Sequence, residues 1–262
     1  MKHTLIPSLF CASSILAAAG TAPIESAPID MPPPSGGWEF RLEPYAWLTA
    51  IDGTSGPQGF PATIDAGFGD VFDVLEKAAA LQFEARKGKW GFMADVFYAE
   101  LGQSGTLPGA VETGVDVDFE QFIGEFVVFH RISEAPMSFV DLYAGGRHNS
   151  IAVDLEVTSG GTLLPVVGTQ RSGDKGWTDP IIGARSQWEI NDRWYIAAKG
   201  DIGGFGVASD FTWNAQASVG YRFSEALSLE VGYRYFDTDY TSGRFVYDVA
   251  QAGALIGLNY EF

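Results

Sequence analysis

From residue 38 to the end of the chain, apolar and polar side chains alternate with a period of two in one segment after another. That spacing belongs to a β-strand with two unlike faces. In the segment 211–223, Phe211, Trp213, Ala215, Ala217, Val219, Tyr221 and Phe223 share one face, while Thr212, Asn214, Gln216, Ser218 and Arg222 share the other. Leu227, Leu229, Val231, Tyr233 and Tyr235 likewise oppose Ser228, Glu230, Gly232 and Arg234. The pattern predicts strands over 38–50, 78–87, 90–101, 115–130, 139–153, 177–190, 194–203, 211–223, 227–240 and 245–262, ten in all. Short connections at 87–89, 132–137, 191–193 and 224–226 alternate with others that include two long ones, 51–77 and 154–176. An up-and-down antiparallel meander has this rhythm.

Alternation alone also suits a soluble sandwich, but sandwich strands average about 5 to 6 residues. These segments run about twice that, near the roughly 9 to 11 residues that cross a bilayer. Aromatics collect at both ends of the segments. Trp90, Trp194, Phe223 and Phe262 lie beside the short turns, and Tyr98, Trp213, Tyr235 and Tyr247 lie toward the longer loops. Two girdles one bilayer apart mark a transmembrane barrel. A closed ring leaves no strand edge in lipid, so the first strand should pair with the last, and an even count places both termini on the short-turn side. The expected fold is all-β, a transmembrane antiparallel up-and-down barrel of ten strands, with eight or twelve as the other possible counts. "FGDVFDVLEK" at 68–77 breaks the alternation. Asp70 there suits the cap of a short helix carrying Val71, Val74 and Leu75 over the barrel mouth, and continuation of the second strand is the alternative.

The N-terminus differs. Residues 1–22 carry Lys2, an apolar run from Leu5 to Ala19 and then small residues, the make-up of a secretory signal peptide cut near Gly20 or Ala22. Cys11 lacks the context of a lipoprotein cleavage site. Residues 23–37, rich in Pro and small side chains, form an expected linker, and 38–262 the barrel. Loss of the leader removes the only cysteine, which excludes disulfides and thiol chemistry. The leader has one Lys and no acid, so the formal charge of −17 becomes −18. So acidic a chain is ill suited to nucleic acid.

If the aromatic face meets lipid, the opposite face fills the lumen. By parity it carries the acids Glu39, Glu43, Glu84, Asp95, Glu125, Asp141, Asp179, Glu189, Asp201, Glu230 and Glu261, and the bases Arg41, Arg86, Arg147, Arg185, Lys199, Arg222 and Arg234. The lipid face is nearly free of charge at mid-strand, where a base would cost about 2 to 4 kcal/mol. Such a lumen is either a narrow ion-selective pore or a plug of opposite charges. A ring of about eight to ten strands has little room beyond its side chains, which favours the plug. Most remaining acids, among them Asp65, Asp70, Asp73, Asp116, Asp118, Glu120, Asp154, Glu156, Asp237, Asp239 and Asp248, fall in the long loops or at the strand ends beside them. They form either a solvated surface or a rim for divalent cations, which favour carboxylate oxygens.

The chain ends "ALIGLNYEF". Gly257, Tyr260 and Phe262 resemble the C-terminal sorting signal of Gram-negative outer-membrane β-barrel proteins, with Leu255 where that family prefers a polar residue. "EARKGKWGFMADVFY", "GDIGGFGVASDFTW" and "VGYRYFDTDY" are similar to hairpin segments of a largely uncharacterised subgroup of these small barrels. The resemblance implies export through the periplasm, location in the outer membrane among its lipids and insertion by the barrel-assembly machinery. It implies no activity or cofactor. Outer-membrane barrel enzymes acting on lipid A or peptides depend on His with Asp or Ser near the outer rim. His130 lies at the short-turn side, and His148 points outward by parity, near Asp116, Asp118 or Ser150. The expected function is a narrow channel or structural envelope component, with a barrel enzyme and a surface binding module using the long loops as alternatives.

Overall fold

A computed structural model describes residues 36–57, 61–107, 112–161 and 164–262. The expected leader and nearly all of the expected linker lie outside the described residues. The strands β1 (Glu39–Pro57), β2 (Ala62–Ala66), β3 (Leu75–Lys87), β4 (Trp90–Leu107), β5 (Glu112–Ala135), β6 (Ser138–Gly161), β7 (Leu164–Glu189), β8 (Trp194–Gly203), β9 (Phe211–Arg222), β10 (Leu227–Ser242) and β11 (Phe245–Glu261) form one antiparallel sheet, with a helix α1 (Phe68–Asp73) between β2 and β3. The sheet closes through β11 on β1. The Phe40 N–H donates to the Phe262 carbonyl at 3.1 Å and the Phe262 N–H donates back at 3.0 Å, so the two ends of the barrel sequence are joined directly.

The sheet has eleven strands against the ten expected. Ten follow one another round the ring, and the eleventh, β2, pairs only with residues 51–55 of β1. Its alternation, "ATIDA", lasts five residues inside a segment that reads as loop. The region 154–176 is a second departure, being mostly the extended β6–β7 hairpin. Apolar residues Val115, Val117, Leu155 and Val157 continue one face of β5 and β6 while acids continue the other, so the two-residue period outlasts the bilayer-length segment. Next to this hairpin β8 and β9 stop short, and the loop between them reaches Asp179 on the inner face through Ser209.

The outward face is apolar and exposed, with Val96, Phe126, Leu142, Ile182, Val219, Val231 and Ile256 among its members. Between Trp90 and Tyr98 on β4, and between Leu227 and Tyr235 on β10, each span being nine residues, no outward position is charged. The first outward charges beyond the belt on the long-loop side include Asp52, Lys77, Glu100, Glu120, Asp154, Asp174, Asp237 and Asp248, with Lys77 and Glu100 paired at 2.8 Å. A nine-residue apolar belt matches the length that crosses a bilayer. Trp90, Trp194, Phe223 and Phe262 are exposed at the short-turn rim, as expected. Tyr247 is a correction, because it points into the lumen and is buried. It shares the parity of Leu255 and Glu261, which places it inside.

Helix α1 forms with Asp70 at its third position, where the carboxylate accepts the Gly67 N–H at 2.9 Å. It packs against β1.

Candidate functional site

The cross-strand register builds the lumen, because it sets Glu125 opposite Arg147 and Arg147 opposite Asp179, then Arg131 opposite Asp141 and Asp141 opposite Arg185. At mid-barrel the Arg147 guanidinium donates to Glu125 at 2.8 Å and to Asp201 at 2.7 Å. Glu125 also receives Lys199 at 3.1 Å and Arg234 at 3.3 Å, so three bases converge on one carboxylate. Asp201 accepts from the Tyr143 hydroxyl at 2.9 Å and the Asn214 amide at 3.2 Å, and the Asn214 carbonyl takes the Arg234 Nε–H at 2.9 Å. Asp95 lies 3.7 Å from Arg234 and accepts the Tyr45 hydroxyl at 2.8 Å. Arg147 is 0% exposed.

A second cluster lies toward the short turns. Arg185 forks onto Glu84 at 2.5 and 2.8 Å and reaches Asp141 at 3.1 Å, while Arg41 joins Glu84 at 2.9 Å and Arg131 joins Asp141 at 2.8 Å. Bidentate guanidinium–carboxylate pairs of this kind are among the stronger charge-assisted bonds. Aromatic rings supply further packing, with Arg185 over Phe129 at 4.2 Å, Arg234 over Trp47 at 4.8 Å and Arg147 over Phe236 at 4.9 Å. Arg86 pairs with Glu39, and Arg222 pairs with Glu189, at the rim.

Above the charges the lumen turns apolar. Trp47, Phe97, Ile123 and Phe236 form one buried group. Gln121 and Gln251 then exchange amide hydrogen bonds at 2.9 and 2.8 Å, and beyond them Trp177 stacks on Tyr240 at 4.2 Å beside Tyr247 and Val249. The free space is divided accordingly. A cavity of about 60 Å³ lies within the charge network, lined by Arg41, Glu43, Tyr45, Glu230 and Arg234. Larger vestibules lie at the two ends, about 400 Å³ beside the short turns and about 360 Å³ at the outer mouth.

The eighteen charged residues assigned to the lumen by parity lie at inward strand positions, but they do not form one network. Asp179 holds no base among the described residues and instead accepts the Ser209 N–H at 2.8 Å and hydroxyl at 2.7 Å, which clasps the β8–β9 loop into the barrel. Glu230 accepts from Ser218 and from Tyr195 at 3.3 Å. Glu43 borders the small cavity. Sequence reasoning missed Arg131, because the strand was expected to stop at His130, although Arg131 shares the parity of Glu125 and Phe129. It also missed Tyr45, Tyr143 and Asn214, neutral groups that complete the bonding of the buried carboxylates.

Gly257 faces the lumen, where a Cβ would lie 2.2 Å from Glu43 Oε1, so the position has a packing reason of its own. Tyr260 and Phe262 are exposed on the outer face, with their rings 5.7 Å apart. His148 also points outward, its Nδ1 2.9 Å from Thr178 Oγ1, and its register partners are Gly124 and Thr178 rather than an acid. His130 packs on Trp90 at 4.3 Å beside a short turn. Among the described residues, no group of three or more His, Cys, Asp or Glu is placed to hold a metal ion.

No family model and no curated protein matches the chain. Among solved structures it is similar to Ail, the attachment invasion locus protein of Yersinia pestis, at 13% identity and a TM-score of 0.36, over 87% of this chain and 100% of that one. It is also similar to the translocator domain of the autotransporter NalP from Neisseria meningitidis, at 11% identity and a TM-score of 0.45, over 87% of this chain and 90% of that one. Neisserial surface protein A matches at 11% identity and a TM-score of 0.29, over 87% and 98% of the two chains.

Proposed function

We propose that the chain is an integral outer-membrane barrel closed by its own side chains, an envelope component that conducts no ions. Arg147 carries this reading. A guanidinium wholly shut away from solvent, held between Glu125 and Asp201 at mid-barrel, belongs to a filled cross-section. A selective pore needs the opposite arrangement, with charges exposed along a continuous water path. The apolar belt and the ring closure support the membrane location, since only a closed barrel satisfies strand backbones in lipid. The surrounding outer-membrane lipids are then its principal partners.

The refolded chain in planar bilayers should give no steady unitary conductance while still showing the heat-dependent gel shift of an intact barrel. Steady channels from the same preparation would replace the closed barrel with a narrow pore. Gly257, Tyr260 and Phe262 are proposed as the segment read by the barrel-assembly machinery. A chain ending at Glu261 should reach the periplasm and insert poorly, and insertion at the normal level would remove that assignment.

A further inference from the structure

The β1–β3 ladder ends at Pro44 opposite Leu81, and the β1–β2 ladder begins only at Ile51 opposite Ala66. Pro44 has no N–H to donate. Between these points the described residues 45–50 of β1 and 75–80 of β3 border a break in the barrel wall. Helix α1 closes its outer end, with Val71 buried and Phe68 and Phe72 exposed. Ala78 and Ala79 are both exposed, although successive strand residues point to opposite faces, so β3 is accessible from both sides here. The run Ala78–Ala79–Ala80 supplies no bulk to fill the space.

The break holds a cavity of about 160 Å³ whose lining includes Ala46, Trp47, Leu48, Phe72, Ala79 and Phe97. Apart from the buried Trp47 indole N–H, which has no hydrogen-bond partner among the described residues, the polar side chains bordering it are engaged elsewhere. Tyr45 donates to Asp95, Thr49 donates to the Ala50 carbonyl, and Gln121 and Gln251 bond each other. An apolar cavity of this size, about 150 Å³, stays dry and accepts a hydrocarbon. We infer that the wall break is a binding site for an alkyl chain of the surrounding bilayer, which enters sideways and ends against Trp47 and Phe97. The bilayer is the source because Leu42, Leu48 and Leu81 carry the outward belt to the edges of the break, and the first outward charges nearby lie toward its outer end, Lys77 on the β3 edge and Asp52 beyond the β1 edge. The headgroup thus stays at the level of the charged collar while its chain reaches inward.

The inference rests on the membrane placement proposed above, and one experiment reads the two separately. Three chains each keep a single tryptophan, Trp47, Trp177 or Trp213, with the other six replaced by Phe. Each is refolded into phosphatidylcholine vesicles brominated at mid-chain, where bromine quenches indole emission on contact. Outward Trp213 should be quenched, Trp47 should be quenched to a similar extent, and Trp177, inside the outer lumen, should not. If Trp213 keeps its emission, the membrane placement fails. If Trp213 is quenched and Trp47 is not, or if Trp47 and Trp177 are quenched alike, the alkyl-chain site fails and the membrane placement stands. Filling the break with Ala46→Leu and Ala79→Leu should restore Trp47 emission, and unchanged quenching would overturn the site. Should a single-tryptophan chain not refold, Trp47→Phe in the otherwise natural chain must lower the quenchable share of the total emission, and no change would overturn the site equally.

Discussion

Two regions of the barrel carry many carboxylates and treat them in opposite ways. In the lumen most central acids meet a base or a set of neutral donors, as when Glu125 takes Arg147, Lys199 and Arg234 together. On the outward face above the belt the register sets acid against acid. Asp118 stands opposite Asp154, Asp116 opposite Glu156, Glu100 opposite Glu120, and Asp239 opposite Asp248. Directly opposed like charges destabilise a strand pair, by about 0.2 to 1 kcal/mol at most sites. Water and salt keep that cost small outside, since exposed charges are screened within about 8 to 10 Å. Inside, each ion loses several kcal/mol of hydration, and a partner is needed to offset the loss. The same residue type is therefore under strict control in one region and under almost none in the other.

The comparison breaks most sharply at Arg147. Arg147→Met leaves Asp201 without a base in the buried middle of the barrel and takes one of three bases from Glu125, which should cost about 3 to 5 kcal/mol, read as a lowered urea midpoint for loss of the heat-modifiable form. The double change Arg147→Met and Asp201→Asn, which keeps Glu125 for Lys199 and Arg234, should recover most of that loss. If it is no better than the single change, charge pairing is not what holds the middle of the barrel. Gly257→Ala, which drives a methyl group against Glu43, should lower stability by about 1 to 3 kcal/mol. The same measurement tests it, and a neutral result would show that Glu43 has room to withdraw. The smallest effect is a gain. Asp154→Lys, facing Asp118, should stabilise by about 0.2 to 1 kcal/mol in dilute buffer, and the gain should fade as salt is raised toward about 1 M, where charges are screened within about 3 Å. A gain that survives high salt would mean that like-charge opposition was not its source.

Most of the ring was legible in the residues, for a physical reason. A period of two assigns every side chain to one of two faces, so Glu84, Asp95, Arg147, Arg185 and Asp201 could be placed in the lumen without knowing any contact. Their partners could not. Which base meets which acid depends on the tilt and register of ten strands, and Arg185 reaching Glu84 across the lumen is written in no local pattern. Asp179 was counted among the charges, yet its partner is Ser209, held in a loop whose Gly204, Phe205 and Gly206 all adopt positive φ. The helix at 68–73 was visible in the broken alternation, but its place in the wall was not. That depended on Pro44 ending a ladder, and in sequence Pro44 is only one more residue between Glu43 and Tyr45.

The closing bonds between Phe40 and Phe262 bear on how the barrel is made. Strands β3 to β11 can pair one after another by local hairpins, each a short loop closure, but β1 against β11 joins residues 188 to 220 positions apart. Long-range pairing of this kind is slow, because the entropy of closing the largest loop comes before any return from its contacts. Until it forms, two strand edges and the carboxylates of the unfinished lumen stand open to whatever surrounds them. Folding should therefore behave as a late, all-or-none zipping event, in which the lumen dries and the ring seals in the same step.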